Sequence, residues 1–319
     1  MIRRPDHDVT DCVCIARPAA VCAEVSALLG ACYPDFDQAA LVAAFQRFSA
    51  MYAGTLAGFL GCDTPYHDAQ HSLDCALATA RLIAGHHRAA GSDHAISAAR
   101  ALQGCVIALF HDCGYVRRSG DCASNGAAYT LTHVTRSGEA LRQHFEACGC
   151  ADAADWAAEM VHFTGYEKPL DQVAISDPLD RQLGFFIGTA DLLAQFADAC
   201  YPEKCRDFLF GEFETCGLAG PKQPGGPTPL YADRLALLNS TPTFFAKLRA
   251  DRLDGYFERA WRYLDVFFDT APGTQNPYWR AIADNLERVD AAIARQDLAL
   301  LTRTPAAVMA SALDTDWRT

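Results

Sequence analysis

The lack of strand patterning is the feature that most constrains the fold of this chain. No stretch alternates apolar and polar residues over four or more positions between turn signals, whereas apolar residues recur at helical spacing nearly throughout. Alanine is abundant and runs of β-branched residues are short, which also favours helices. The pattern predicts an all-α fold, a multi-helix bundle that forms one domain over residues 1–319.

The helix positions follow from this periodicity together with loop signals. The segment 217–229 contains four glycines and four prolines in thirteen residues, which predicts a loop. We expect helices at 18–30, 37–51, 69–84, 95–111, 130–148, 151–164, 179–199, 230–239, 241–268 and 278–295. No long linker precedes the C-terminal helices, so we expect the helices of region 230–300 to pack on the same domain.

Composition and charge exclude several classes of function. Half of the 319 residues are apolar, which excludes a disordered chain. The formal net charge of −12 would repel phosphate backbones, so we expect no nucleic-acid polymer as a partner. No segment approaches the roughly 20 apolar residues of a membrane span, and no apolar segment of a signal peptide follows residues 1–8. We therefore expect a soluble cytoplasmic protein with no membrane partner.

Cysteine is unusually frequent in this chain. There are fourteen cysteines and no Cys-x-x-Cys pair, so a structural zinc knuckle has little support. Without an export signal we expect reduced thiols, most of them filling the core as small apolar groups, as Cys75, Cys105 and Cys200 would among their apolar neighbours. Cys113 follows a His-Asp pair, and we expect it to be packed as well.

The histidines and two aspartates carry the strongest functional signal. His67 and His71 are four residues apart, on one face of a predicted helix. His111 and Asp112 end an apolar helix, and Asp191 lies inside another. Burying such ionisable groups is unfavourable unless they are paired or bind a metal.

A metal site is the simplest common explanation of these residues. Imidazole and carboxylate groups are ligands of zinc, iron and manganese, and carboxylates bridge where two ions lie close together. A lone histidine on an apolar face is more often a hydrogen-bonded core residue, which is the alternative for His162. The ordered series of a histidine pair, a His-Asp pair and a helix-embedded aspartate is much rarer, and it predicts metal binding.

The series resembles the HD-domain superfamily of metal-dependent phosphohydrolases, which is named for its His-Asp pair. Residues 66–74, YHDAQHSLD, are similar to the Y-H-N-x-x-H-x-x-D signature of class I cyclic-nucleotide phosphodiesterases. The tripeptides at 110–112 and 190–192 match the F-H-D and A-D-L motifs of that family. The resemblance covers roughly residues 64–211.

The chain also differs from the phosphodiesterase pattern at several points. Asp68 stands where that family has asparagine, and no Gln-x-x-Phe that would select a purine occurs near the C-terminus. Gly114 and Tyr115 follow the His-Asp pair in place of a further histidine, which gives the HDxGY form of many bacterial HD proteins.

The resemblance implies an all-helical HD catalytic core over about residues 52–216 and a role for each motif residue. The metal ligands that it implies are His71, His111, Asp112 and Asp191, with His133 and, on a looser match, His162 added for a second ion bridged by Asp112. His67 would donate a proton to the leaving oxygen. Asp74 could accept a hydrogen bond from the His71 ring, with a surface ion pair as the alternative. Arg136 could contact a substrate phosphate or be structural.

The function implied is hydrolysis of a small phosphorylated substrate, a phosphodiester resembling a cyclic nucleotide, with two divalent ions of zinc, manganese, iron or magnesium. One alternative is an HD-type mixed-valent di-iron oxygenase, whose ligand order is met if His133 and His162 both bind metal. The other is a non-catalytic HD module that senses a nucleotide. The Pro-Tyr-His-x3-His segment favours hydrolysis, because a leaving-group acid has no obvious use in the oxygenase. The sequence predicts no substrate-binding residues and no oligomeric state.

Overall fold

The computed structural model of the protein describes residues 3–91, 96–222, 228–271 and 275–306. Apart from isolated bridges, the regular secondary structure of these residues is helical, which confirms the predicted all-α multi-helix bundle. The α-helices are α1 Pro18–Cys32, α2 Gln38–Tyr52, α3 Ala69–Ala90, α4 Ala98–Phe110, α5 His133–Ala147, α6 Ala154–Met160, α7 Pro178–Ala197, α8 Tyr201–Lys204, α9 Phe210–Thr215, α10 Arg234–Leu248, α11 Arg262–Phe267 and α12 Pro277–Arg295. The predicted helix start at 95 and residues 223–227 of the predicted loop lie outside the described residues.

Side-chain caps set several of the helix starts. Asp37, Ser97 and Asp177 each accept a hydrogen bond from a backbone N–H in the first turn of α2, α4 and α7. At the start of α3, the side chain of Asp68 accepts from the His71 N–H at 3.0 Å. The aspartate that stands in place of asparagine therefore caps the helix that carries two of the predicted site residues.

The predicted helix break at residue 240 is wrong. Helix α10 continues through Pro242, and a π-helical segment, Arg249–Tyr256, follows it before α11. A proline in a helix interior removes one backbone hydrogen bond and disfavours the helix by about 3 kcal/mol. Leu238 and Phe245, on either side of the proline, are buried, and we attribute the continuous helix to their packing.

Helix α3 is the centre of the bundle. Nearly all its residues from Ala69 to His86 are buried, and it packs against α1, α4, α7 and α11. Gly85 allows α11 to approach closely, since a Cβ there would overlap the Tyr263 carbonyl group. Helix α12 packs on α7 and α10, and one apolar cluster joins residues from Ile15 to Leu301. This is the packing expected of one domain, which stays a prediction.

All fourteen cysteines lie in the described residues as free thiols. Six are buried, namely Cys22, Cys75, Cys105, Cys113, Cys200 and Cys205. Burial raises the pKa of the Cys113 thiol to about 12, which agrees with the expectation that this residue is packed in the core. The core-filling prediction fails for four exposed residues, Cys12, Cys122, Cys148 and Cys150.

In the described part of the chain, no single helix is long and apolar enough to cross a membrane. One pair, Pro178–Ala197 with Tyr201–Thr215, passes the length and composition test together, but the two helices are bent by 90°.

Candidate metal centre

Four of the predicted ligands converge where α3, the C-terminal end of α4 and α7 meet. His71 Nε2 lies 3.2 Å from Asp191 Oδ1 and 3.7 Å from Asp112 Oδ2. His111 Nε2 lies 3.2 Å from Asp112 Oδ2 and 3.6 Å from Asp191 Oδ1. Donor atoms at this spacing suit a shared cation at about 2.0–2.2 Å from each.

The ring of His111 shows that this cluster fits a metal ion. Its Nδ1 donates a hydrogen bond to the Ala108 carbonyl oxygen at 2.8 Å, so Nε2 is the ring nitrogen that faces the cluster. That Nε2 is buried between two carboxylates and makes no hydrogen bond. A buried polar atom without a partner is unfavourable, and a cation held in the cluster would give it one.

Cys75 is a potential donor that sequence reasoning assigned only to the core. Its Sγ lies 3.6 Å from His71 Nε2, and potential donor atoms of His71, Cys75, His111 and Asp191 all lie within 4.8 Å of one another. The available signal was its position four residues after His71, which places both on one face of α3. Sulfur and imidazole donors suit zinc or iron better than magnesium.

The carboxylates of the cluster are held in their charged form. Burial alone would raise the pKa of Asp191, but the imidazoles of His111 and His71 lower it to about 2. The pKa of Asp112 is likewise far below its usual range, because His111 outweighs the effect of burial. Two ionised carboxylates this close together favour a divalent cation.

His133 faces the other oxygen of Asp112. Its Nε2 lies 3.6 Å from Asp112 Oδ1, whereas Asp112 Oδ2 faces His71 and His111. The His133 Nδ1 donates to the Thr130 carbonyl oxygen at 2.7 Å, so its Nε2 is free to bind. Burial lowers the pKa of this ring, which favours the neutral form that binds metals. The arrangement matches the predicted role of Asp112 as a bridge between two ions.

Gly114 makes the approach of α5 to the His-Asp pair possible. A Cβ at this position would overlap the His133 carbonyl oxygen. The Gly114 N–H donates to Ser137 Oγ at 2.8 Å, and its carbonyl accepts from Arg136 Nε at 2.8 Å. The same guanidinium also pairs with Asp121. These contacts favour the structural role for Arg136 over contact with a substrate phosphate.

Replacing Gly114 by alanine is expected to destabilise the protein by about 1–3 kcal/mol, because the added methyl group forces the His-Asp loop away from α5. The measurement is the midpoint of urea unfolding. Gly211→Ala is the matched control, since Gly211 lies in α9 with open space around it and should tolerate alanine. Equal stability of both variants would contradict the packing described here.

His67 is positioned beside the cluster by a residue that the sequence did not reveal. Its Nδ1 donates to Glu212 Oε2 at 2.6 Å, and Glu212 Oε1 also accepts from the Tyr66 N–H at 2.7 Å. The Tyr115 ring stacks on both His67 and His133, with centroid distances of 4.2 Å and 4.4 Å, and the centroids of the two imidazoles are 6.2 Å from each other. The tyrosine of the HDxGY motif thus packs against both the predicted acid and the predicted ligand.

His162 is the predicted ligand that the structure does not bring to the cluster. The helix predicted over 151–164 ends at Met160, and a tighter 3₁₀ turn, Val161–Phe163, follows. Thr164 and Gly165 then line the cavity above the cluster, whereas His162 is not among its described lining residues. The residue is half-buried and its Nδ1 has no hydrogen bond to the described residues, so this nitrogen does not fit the alternative of a hydrogen-bonded core histidine either.

Asp74 does not have either role considered for it. None of the described hydrogen bonds joins it to His71, and its Oδ1 has no partner. The residue is buried and therefore forms no surface ion pair. Burial and the neighbouring Asp8 carboxylate raise the pKa of Asp74 to about 7, against the opposing effect of Arg81.

The cluster lies at one end of a cavity of about 480 Å³. The polar end is lined by His67, His71, Asp112, His133, Glu167 and Asp191. The opposite wall is largely apolar, and α9, α10 and the segment between them contribute nine of the other 21 described lining residues. The volume is within the about 300–1,000 Å³ typical of small-molecule sites.

Comparison with known proteins gives no family assignment, since no protein-family model and no curated protein matches the chain. What the protein does has therefore to be inferred from the geometry of the described residues.

Proposed function

We propose that the protein is an HD-type metal-dependent phosphohydrolase that cleaves a phosphate ester, a phosphodiester first of all. The supporting observation is the convergence of His71, His111, Asp112 and Asp191 at the polar end of a ligand-sized cavity. His67 lines the same cavity, and its Nδ1 donates a hydrogen bond to the carboxylate of Glu212.

The residues divide into two ligand groups around Asp112. His71, His111, Asp191 and Asp112 Oδ2 would hold one ion, with Cys75 near it, and His133 and Asp112 Oδ1 would hold the other. Bound divalent cations supply a water acidified toward neutrality and charge compensation for the phosphoryl oxygens.

His67 is suited to protonate the leaving oxygen. Its Nδ1–H is held by Glu212, so Nε2 is the atom that can carry a proton to the substrate. Burial opposes protonation of this ring, but Glu212, with Asp112 and Asp191, raises its pKa above the ordinary histidine value. A general acid has to be protonated to act, and the raised pKa keeps the ring in that form to higher pH.

Glu212→Gln is expected to shift the basic limb of the pH–rate profile to lower pH. Glu212 raises the pKa of His67, so the acid stays protonated to higher pH in the wild type and activity falls as the pH rises through that value. The amide removes the charge while its oxygen can still accept from Tyr66. Turnover should therefore drop on the basic limb of the profile and change little on the acidic limb. Glu214→Gln, an exposed neighbour, is the control, and superimposable profiles would contradict this role of Glu212.

The oxygenase alternative is less well supported by the geometry. Its ligand order requires His162, which is not among the described lining residues of the cavity. The non-catalytic alternative is also weaker, because the core metal ligands are present and converge. The discriminating experiment supplies iron, manganese or zinc and measures both oxygen consumption and nitrophenol release from a nitrophenyl phosphodiester and monoester. Nitrophenol release without oxygen uptake is expected, and oxygen uptake without hydrolysis would contradict the proposal.

A further inference from the structure

We infer that the substrate is an amphiphilic phosphate ester, with its phosphate at the His/Asp cluster and a bulky aliphatic group against the opposite wall of the cavity. This inference rests on the proposed function and specifies its substrate class. It follows from the charge, the polarity and the exposure of the described lining residues.

The described lining of the cavity offers no lysine or arginine side chain to a highly charged ligand. Arg252 lies behind the wall, where it stacks on Tyr166 and donates to the carbonyl oxygens of Thr164 and Gly165. Phosphate charge would therefore be met only at the His/Asp cluster and the neighbouring His67, which suits one phosphate group and disfavours a polyphosphate.

Beyond the hydroxyl groups of five lining tyrosines, the wall offers few free hydrogen-bonding groups. The hydroxyl groups of Thr130, Thr164, Ser240 and Thr241 each donate to a backbone carbonyl oxygen of their own segment. Gln195, one turn after Asp191, is the amide on this surface. A nucleobase or sugar would leave polar atoms unpaired against such a wall, which is unfavourable.

The apolar surface extends from the wall to the mouth of the cavity. Inside, the wall includes Leu209, Phe213, Leu218, Leu237 and Leu248. At the rim, Leu131 is 64% exposed and Leu230 is 70% exposed, and both line the same cavity. Phe244 and Tyr166 are further exposed lining residues, so half of the eight large exposed hydrophobic residues described converge here. A convergent exposed apolar patch marks a binding surface, unlike scattered exposed leucines.

The test is the affinity of the full-length, metal-loaded protein for methyl-, butyl-, octyl- and decylphosphonate, measured by calorimetry. These probes are not phosphate esters, so binding is read without turnover. We expect affinity to rise roughly two- to fourfold per methylene until the cavity is filled. Adenosine 5′-monophosphate should bind no more tightly than methylphosphonate. Affinity independent of chain length, no binding by any phosphonate, or a preference for the nucleotide would each overturn the inference.

Two leucine variants test whether the alkyl chain of the probe binds at the rim of the cavity. Leu230→Asn should weaken octylphosphonate binding about tenfold and leave methylphosphonate unchanged, because it removes apolar contact at the rim only. Leu60→Asn is the control, since Leu60 is 50% exposed and does not line the cavity. Equal effects of both variants would count against the inference. Chain-length-dependent binding without hydrolysis of any phosphate ester would contradict the proposed function alone, whereas hydrolysis without chain-length dependence would contradict this inference alone.

Discussion

Replacing His67 by alanine is expected to lower turnover of a phosphodiester with a poor leaving group by about 10²–10⁴-fold. The side chain lies beside the His/Asp cluster and is not one of the predicted metal ligands, and its Nε2 lies 3.5 Å from the Tyr115 hydroxyl group at the cavity wall. Removing it should delete proton donation and leave metal binding intact. The measurement is kcat on an alkyl phosphodiester, with metal content determined on the same sample.

A nitrophenyl phosphodiester is the control substrate for this variant. Its leaving group needs no proton, so the loss caused by His67→Ala should be far smaller. An equal loss on both substrates, or loss of the metal itself, would show that His67 is a ligand or a structural residue.

Replacing Asp8 by alanine is expected to destabilise the protein by about 3–5 kcal/mol. Asp8 is fully buried and pairs with Arg81 of α3, which also donates to the Tyr278 hydroxyl group at 3.1 Å. The pair thus joins the N-terminal segment to the central helix and to α12. Without Asp8, the Arg81 guanidinium would be left buried and without its carboxylate partner.

The stability measurement is the urea midpoint at pH 7, with Asp155→Ala as the control. Asp155 pairs with Arg142 at an exposed position, where an ion pair contributes little, so its midpoint should be nearly unchanged. Against the opposing effect of burial, Arg81 lowers the pKa of Asp8. The ionised Asp8 should therefore contribute to the free energy of unfolding at neutral pH, and this contribution should be lost as the pH falls through the lowered pKa of Asp8. Similar midpoints for both variants would contradict the role of the buried pair.

The residues of the cluster that lie in local motifs were predictable from the sequence. His111 and Asp112 are adjacent, so their sequence already places them together, and His71 follows His67 closely. The expectation that His67 and His71 share one helix face is wrong, because α3 begins only after the Asp68 cap, and His67 precedes it. The all-α fold was predictable for a similar reason, because helical periodicity is a local property of the chain.

The rest depends on contacts between distant segments. Glu212 is 145 positions from His67, and no local pattern marks it as the partner of that ring. The role of α10 in the cavity wall likewise arises from tertiary packing. His162 was predicted on a looser match to the family pattern, and the structure does not place it among the described lining residues of the cavity.

The most direct test of the metal centre is elemental analysis of the full-length protein and of two variants after incubation with zinc, manganese or iron. We expect about two ions per chain in the wild type, about one in His133→Ala and almost none in Asp191→Ala, with the helical circular dichroism spectrum retained in all three. A folded wild-type protein that takes up no metal, or an Asp191→Ala variant with undiminished metal content, would contradict the metal centre described here.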